Sequence, residues 1–102
     1  MVSRRDRLKE TGSFIGLAAS HIALFGEEYP EGLLYLEQAT LAIKVTKANQ
    51  DECDYVREVA QKRGLKKIES HFKTEGKTQR FDYNQTIKAF EEQVDKLIEE
   101  LL

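Results

Sequence analysis

The chain has 102 residues, of which 40% are apolar and 33% are charged, with a formal net charge of −2. A chain of this length is the size of one domain and can bury a sufficient core on its own, so we expect a single domain. A lone cysteine, Cys53, excludes an intrachain disulfide and a multi-cysteine metal site, and it is typical of a reducing compartment such as the cytoplasm.

The first helix is predicted to begin at Ser3, because Ser3 and Asp6 have the spacing of a helix N-cap and its partner. Gly26 gives a natural C-terminal end. Between them, apolar residues follow one face: Leu8, Ile15, Ala18, Ile22 and Phe25. A break at Gly12 with a restart at Ser13 is the alternative.

The same segment resembles a twin-arginine export signal, in which two arginines precede an apolar run. Arg4 and Arg5 stand in that place, and the apolar run extends from Phe14 to Phe25. Arg7 stands where an apolar residue is usual, and no small-residue cleavage site follows the run. We therefore favour a basic first turn that leads into a buried helix. The run is shorter than the stretch of about 20 residues that spans a bilayer, so no membrane contact is expected.

The second helix is predicted from Pro30 to about Ala48, since proline is favoured in a first helical turn. It is apolar on more than one side, so we expect it to be the central helix of the core. Asn49 then predicts the start of a third helix. Gly64 is one candidate for the end of that helix, and an extension to about Phe72 is the other.

Residues 65–83 are open to two interpretations. Segments 70–74 and 79–83 alternate in polarity on either side of a Glu-Gly-Lys turn, which is typical of a short β-hairpin. Leu65, Ile68 and Phe72 instead have helical spacing. Because an isolated hairpin is marginally stable, we favour a helical extension followed by a polar loop.

The last helix carries the clearest pattern in the sequence. Its apolar residues recur at alternating spacings of three and four: Ile87, Phe90, Val94, Leu97 and Leu101. This rhythm belongs to a helix that lies along another helix. The five residues are therefore predicted to form an interface, either with the chain's own core or with a second copy in a homodimer.

Charge is sorted along the C-terminal half of the chain. Residues 57–80 hold eight basic and three acidic residues, whereas residues 82–102 hold two basic and six acidic ones. Pairing between the two segments, within the chain or between subunits, is the simplest use of this asymmetry. A nucleic-acid surface is the alternative. Its candidate residues form a basic patch: Lys66, Lys67, Lys73, Lys77 and Arg80.

No motif in the sequence predicts catalysis, a cofactor or a metal site. His21 and His71 lie far apart, without metal-ligand spacing around them. Cys53 is expected to be a small half-buried side chain rather than a nucleophile. No serine has the context of a nucleophile elbow. We therefore expect a protein that is not an enzyme and needs no cofactor.

Residues 28–39 resemble the second helix of a tetratricopeptide repeat. Tyr29, Gly32, Leu36 and Ala39 stand at its characteristic small and large positions. Since a single copy cannot stack into a solenoid, the resemblance implies an antiparallel helical hairpin and nothing about a ligand.

The C-terminal half resembles the end of a small winged-helix repressor. In such proteins a helix ends in Gly-Leu, here Gly64-Leu65, and a basic wing precedes an acidic dimerisation helix. The resemblance implies that Lys73, Lys77 and Arg80 contact the phosphate backbone of DNA. However, acidic residues open the helix that would enter the major groove, where phosphate repels them.

Together these patterns predict a single all-α domain over residues 1–102, a four-helix bundle of two antiparallel hairpins. An α+β fold with a β-hairpin near 70–83 is the alternative. The expected function is that of a small cytoplasmic interaction or adaptor module without catalytic activity, which self-associates through its last helix. A dimeric winged-helix DNA-binding regulator is the alternative function. The sequence does not identify a protein partner.

Overall fold

The computed structural model of the chain describes residues 3–26, 30–42, 47–75 and 82–102. Four helices follow one another in these ranges: α1 (Arg4–Phe25), α2 (Pro30–Ala42), α3 (Gln50–Glu75) and α4 (Tyr83–Leu101). No strand occurs in this part of the chain. The predicted all-α, bundle-like fold is confirmed.

Helix α1 begins and ends where its sequence predicts. Ser3 Oγ accepts a hydrogen bond from the Asp6 amide at 3.1 Å. At the other end Gly26 has a φ of 108°, which favours glycine, and its amide donates to the Ile22 carbonyl oxygen at 2.8 Å. The helix is continuous between these caps, so the alternative of a break at Gly12 is wrong.

Reciprocal capping boxes open α3 and α4. Asn49 Oδ1 accepts from the Glu52 amide at 2.8 Å, and Glu52 Oε1 accepts from the Asn49 amide at 3.1 Å. Asp82 and Gln85 repeat this arrangement at the start of α4, at 2.8 and 3.2 Å. Each box satisfies backbone amides that have no partner within their own helix.

Helix α3 runs through Gly64 without interruption, so the predicted stop at this residue is wrong and the extension is confirmed. The alternative of a strand over 70–74 is also wrong, because this segment is helical. Residues 76–81, which include most of the predicted turn and the start of the second predicted strand, lie outside the described ranges. The extension is stabilised by packing, since Ile68 is fully buried and Phe72 lies against the core.

Helix α1 is the centre of the fold. It packs against α2, α3 and α4, and α3 also packs against α4, whereas α2 has no other extensive contact with the described helices. The expectation that the second helix is central is therefore wrong. Small buried residues, Ala18, Ala19 and Ala23, let neighbouring helices approach α1 closely. The predicted end of the second helix is wrong as well, because Ala48 is not helical.

The helices run alternately up and down. The start of α1 meets the start of α3 through Arg4 and Glu52, and the end of α1 meets the later part of α3 through Phe25 and His71, so α1 and α3 are parallel. Helix α2 returns along α1 and α4 returns along α3. The fold therefore consists of two antiparallel hairpins whose first helices lie side by side.

Glycines bring α1 and α3 together at close range. A Cβ atom placed on Gly16 would lie 2.4 Å from the Ala60 carbonyl oxygen, and one on Gly12 would lie 2.9 Å from Val59 Cβ. Gly12 and Gly16 are four residues apart and so share one face of α1. Gly12, which the sequence suggested as a weak point of the helix, is instead a place where α3 packs.

Candidate interaction surfaces

The predicted interface residues of α4 lie against the chain's own α1 and α3. Three are buried and two are half-buried: Phe90, Val94 and Leu97 in the first group, Ile87 and Leu101 in the second. Ile98, which the three-four pattern omits, is also buried. The seam is thus occupied within the chain. A role of this seam in contact between two copies stays a prediction. Only its half-buried residues, Ile87 and Leu101, are accessible to a second copy.

Within the described residues, an ion pair between Arg57 and Asp95 joins the basic segment to the acidic helix. Arg57 Nε on α3 donates to Asp95 Oδ1 on α4 at 3.0 Å. Arg57 also lies 3.4 Å from Asp54 on its own helix. Internal pairing of the two charged segments, as the sequence suggested, is realised at this point of the fold.

An open groove of about 440 Å³ lies between α1 and α3, and no residue of α4 lines it. The residues that line it come from both helices: Lys9, Ser13, Tyr55, Glu58, Val59, Lys62, Arg63 and Lys66. Arg63 and Lys66 also line the adjoining depression, together with Leu17, Lys67 and Ser70. We call the two together the basic groove.

The cations of the basic groove differ in their partners. Lys62 Nζ lies 3.5 Å from Glu58 on the same helix, and Lys67 Nζ lies 4.7 Å from the centre of the Tyr35 ring. Arg63 and Lys66 are exposed and have no ion pair in the described part of the chain. Positive charge is therefore available at this surface.

The predicted basic patch is only partly the observed one. Lys66 and Lys67 lie in the basic groove, and Lys73 is exposed further along α3. Lys77 and Arg80 lie outside the described residues. The α1 wall of the groove, including Lys9, could not be found from the sequence, because nothing in the local pattern shows that α1 lies alongside α3.

A polar contact between Arg4 and Glu52 joins the starts of α1 and α3. Arg4 Nη2 donates to Glu52 Oε1 and to the Lys47 carbonyl oxygen, both at 2.8 Å, and Arg4 Nε also donates to Glu52. The hydrogen bond from the Arg4 guanidinium and, to a smaller extent, that from the Asn49 amide lower the pKa of the Glu52 carboxyl to about 2. The same contact raises the pKa of Arg4.

Both histidines lie in one aromatic cluster at the end of α1. The ring centre of Phe25 is 4.7 Å from that of His21 and 5.3 Å from that of His71, and Tyr35 lies 6.2 Å from His21. The sequence did not predict that His21 and His71 lie close together, because 50 positions separate them. Among the described residues, no three histidine, cysteine or acidic side chains are grouped so as to hold a metal ion.

Two leucines are exposed on the outer side of α2, beside the exposed polar residues Glu37, Gln38 and Thr40. Leu33 is 54% exposed and Leu34 is 56% exposed, although α2 is the most apolar of the four helices. On the inner side Ala39 is fully buried. The sequence indicated that α2 is apolar on more than one side. We expected this to place α2 at the centre of the fold, whereas in the structure two of its leucines are exposed.

None of the described helices combines the length and apolar character that crossing a membrane requires. Comparison with known proteins found no match to this chain among protein-family models, curated proteins or solved structures. The arguments for function therefore start from the surfaces described above.

Proposed function

We propose that this chain is a small helical interaction module without catalytic activity, and that it pairs with a second copy through the outer face of α2. The observation that carries the proposal is the exposure of Leu33 and Leu34, each more than half accessible. Burial of apolar surface contributes about 25 cal/mol per Å², so such a face favours contact with another apolar surface.

The packing of α2 supports this choice of face. Helix α1 covers one side of α2, and no other described helix packs extensively against it. A second α2 would cover the open side in a self-complementary pair, and two-fold dimers are the commonest homo-oligomers. The α4 seam is a weaker candidate, because Phe90, Val94 and Leu97 are already covered by the chain itself.

Sedimentation velocity tests this function. We expect the wild-type chain to form a dimer and the double variant Leu33→Glu, Leu34→Glu to be a monomer, since dimerisation would bury two uncompensated charges from each copy. The matched control is Thr74→Glu with Asn84→Glu, which adds two charges at exposed positions of the other helices α3 and α4. We expect the control to remain a dimer. A monomeric wild type, or a dimer that survives the leucine substitutions, would contradict the proposal.

The structure describes only part of the wing that the resemblance implies for a winged-helix DNA-binding regulator. Of residues 73–80, the first three are helical and 76–80 lie outside the described ranges. What supports nucleic-acid binding is the positive charge of α3, most of which precedes the proposed wing.

A further inference from the structure

Positive charge lines the basic groove from both sides. Five cations contribute to it: Lys9 from α1, and Lys62, Arg63, Lys66 and Lys67 from α3. Glu58 is the one carboxylate among the lining residues, and it lies 3.5 Å from Lys62. An exposed pair of this kind is weak, so the groove keeps a positive potential.

The cations follow the helix direction. Lys62 and Lys66 are four residues apart and Lys73 follows seven residues later, so the three share one side of α3. At the start of α1, Arg5 lies 4.0 Å from the centre of the Tyr55 ring and extends the line of positive charge. From Tyr55 to Lys73 the helix rises about 27 Å.

Polar and apolar groups complete the lining. Ser13 and Ser70 bring hydroxyl groups to the two parts of the groove, and hydroxyls donate to phosphate oxygens. Val59, Leu17 and the Tyr55 ring add apolar surface between the charges.

Helix α4, which contributes nothing to the basic groove, is acidic on its outer side. Five carboxylates are exposed there: Glu91, Glu92, Asp95, Glu99 and Glu100. Two exposed lysines lie among them, Lys88 and Lys96. The charge of the molecule is therefore distributed unevenly over its surface although the net charge is only −2, and this would orient a polyanion towards the groove.

We infer that the basic groove binds the phosphate backbone of a nucleic acid. A strand carries a phosphate about every 3.4 Å along the helix axis, so a line of about 27 Å spans about eight phosphates. A regular polyanion can meet all five cations, whereas an acidic helix such as α4 of a second copy mixes its carboxylates with lysines. This inference does not depend on the proposed dimer, because neither Leu33 nor Leu34 lines the basic groove.

The test is fluorescence anisotropy with a labelled single strand of about 20 nucleotides and a duplex of the same length, between about 50 and 200 mM salt. The test variant is Arg63→Glu with Lys66→Glu. The control, Lys88→Glu with Lys96→Glu, changes the net charge equally on α4. All four residues are exposed, so the variants should fold, and circular dichroism checks this.

We expect binding of the wild-type chain to weaken linearly on a log–log plot against salt, with a slope of about 3.5 for the single strand and about 4.5 for the duplex if all five cations contact phosphate. The test variant should bind at least about tenfold more weakly, and its single-strand slope should fall by about 1.4 because two contacts are lost. The control should stay within about twofold of the wild type.

Three outcomes would overturn the inference. The first is no binding at the lowest salt concentration. The second is an equal loss in the test and control variants, which would indicate a response to net charge alone. The third is salt-sensitive self-association that the test variant loses, without nucleic-acid binding, which would assign the groove to an acidic segment of a second copy.

Discussion

Gly64 lies where α1, α3 and α4 come together. A Cβ atom at this position would stand 2.1 Å from Cε1 of Phe90 and 2.9 Å from the Gly16 carbonyl oxygen. Phe90 is fully buried in a close-packed core, so its ring cannot move aside without displacing other groups. Glycine therefore lowers the helix propensity of α3 here, by about 1 kcal/mol relative to alanine, but leaves room for the ring.

Gly64→Ala is expected to lower the free energy of unfolding by about 1–3 kcal/mol, because the added methyl group overpacks the core. Chemical denaturation followed by circular dichroism measures the change. Gly32→Ala is the matched control, since its Cβ would lie 3.5 Å from Ile22 Cγ1, an ordinary contact. The control should be as stable as the wild type or slightly more stable. Equal stability of the two variants would contradict the close approach at Gly64.

Among the helices, α2 differs from the others in how it is held. Helices α1, α3 and α4 all pack against one another, whereas α2 packs extensively against α1 alone. Its inner residue Ala39 is buried, but Leu33 and Leu34 face outwards. Segments with fewer buried contacts open locally at a lower free energy than the rest of a fold. We therefore expect α2 to be the least protected of the four helices against local opening.

Hydrogen exchange at low protein concentration should show this difference. We expect the amides of α2 to exchange at least about tenfold faster than those in the middle of α1, which corresponds to about 1.4 kcal/mol in opening free energy. A higher protein concentration should slow exchange in α2 selectively as the proposed dimer forms, and α1 serves as the internal reference. Equal protection of α1 and α2 at low concentration would contradict this description of the fold.

At the scale of the whole molecule, two ion pairs join different helices within the described ranges. Arg4 and Glu52 connect the starts of α1 and α3, and Arg57 connects α3 to Asp95 of α4 at 3.0 Å. Exposed pairs of this kind add only a small stabilisation at neutral pH. The low pKa of Glu52 makes that small stabilisation sensitive to acid, since the folded state binds this proton less tightly than the unfolded chain does.

The stabilisation by Glu52 should be complete above about pH 4.5 and should be lost as the pH falls from there to about 2. The wild type should therefore be more stable than Glu52→Gln at neutral pH, and this difference should shrink over that range. Denaturation at a series of pH values measures it. Glu58→Gln is a control with the same charge change, at a carboxylate whose partner Lys62 lies 3.5 Å away. A difference that does not change with pH would contradict the role of Glu52.

The sequence was sufficient for features that depend on neighbouring residues. The starts of α1 and α3 are fixed by Ser3 and Asn49, each of which caps an amide three residues later. The apolar rhythm of α4 likewise identified the residues that pack against another helix. Caps and helical periodicity act within one or two turns, so the linear order of residues contains them.

Only the tertiary structure decided which helix is central, why a glycine stands inside α3 and which cations lie together. Gly64 leaves room for the ring of Phe90, and Lys9 lines the same groove as Lys62. Lys66 was found from the charge of its own segment, but its neighbour Lys9 was not. These features arise from contacts between residues far apart in the chain, where packing outweighs the local preferences that the sequence displays.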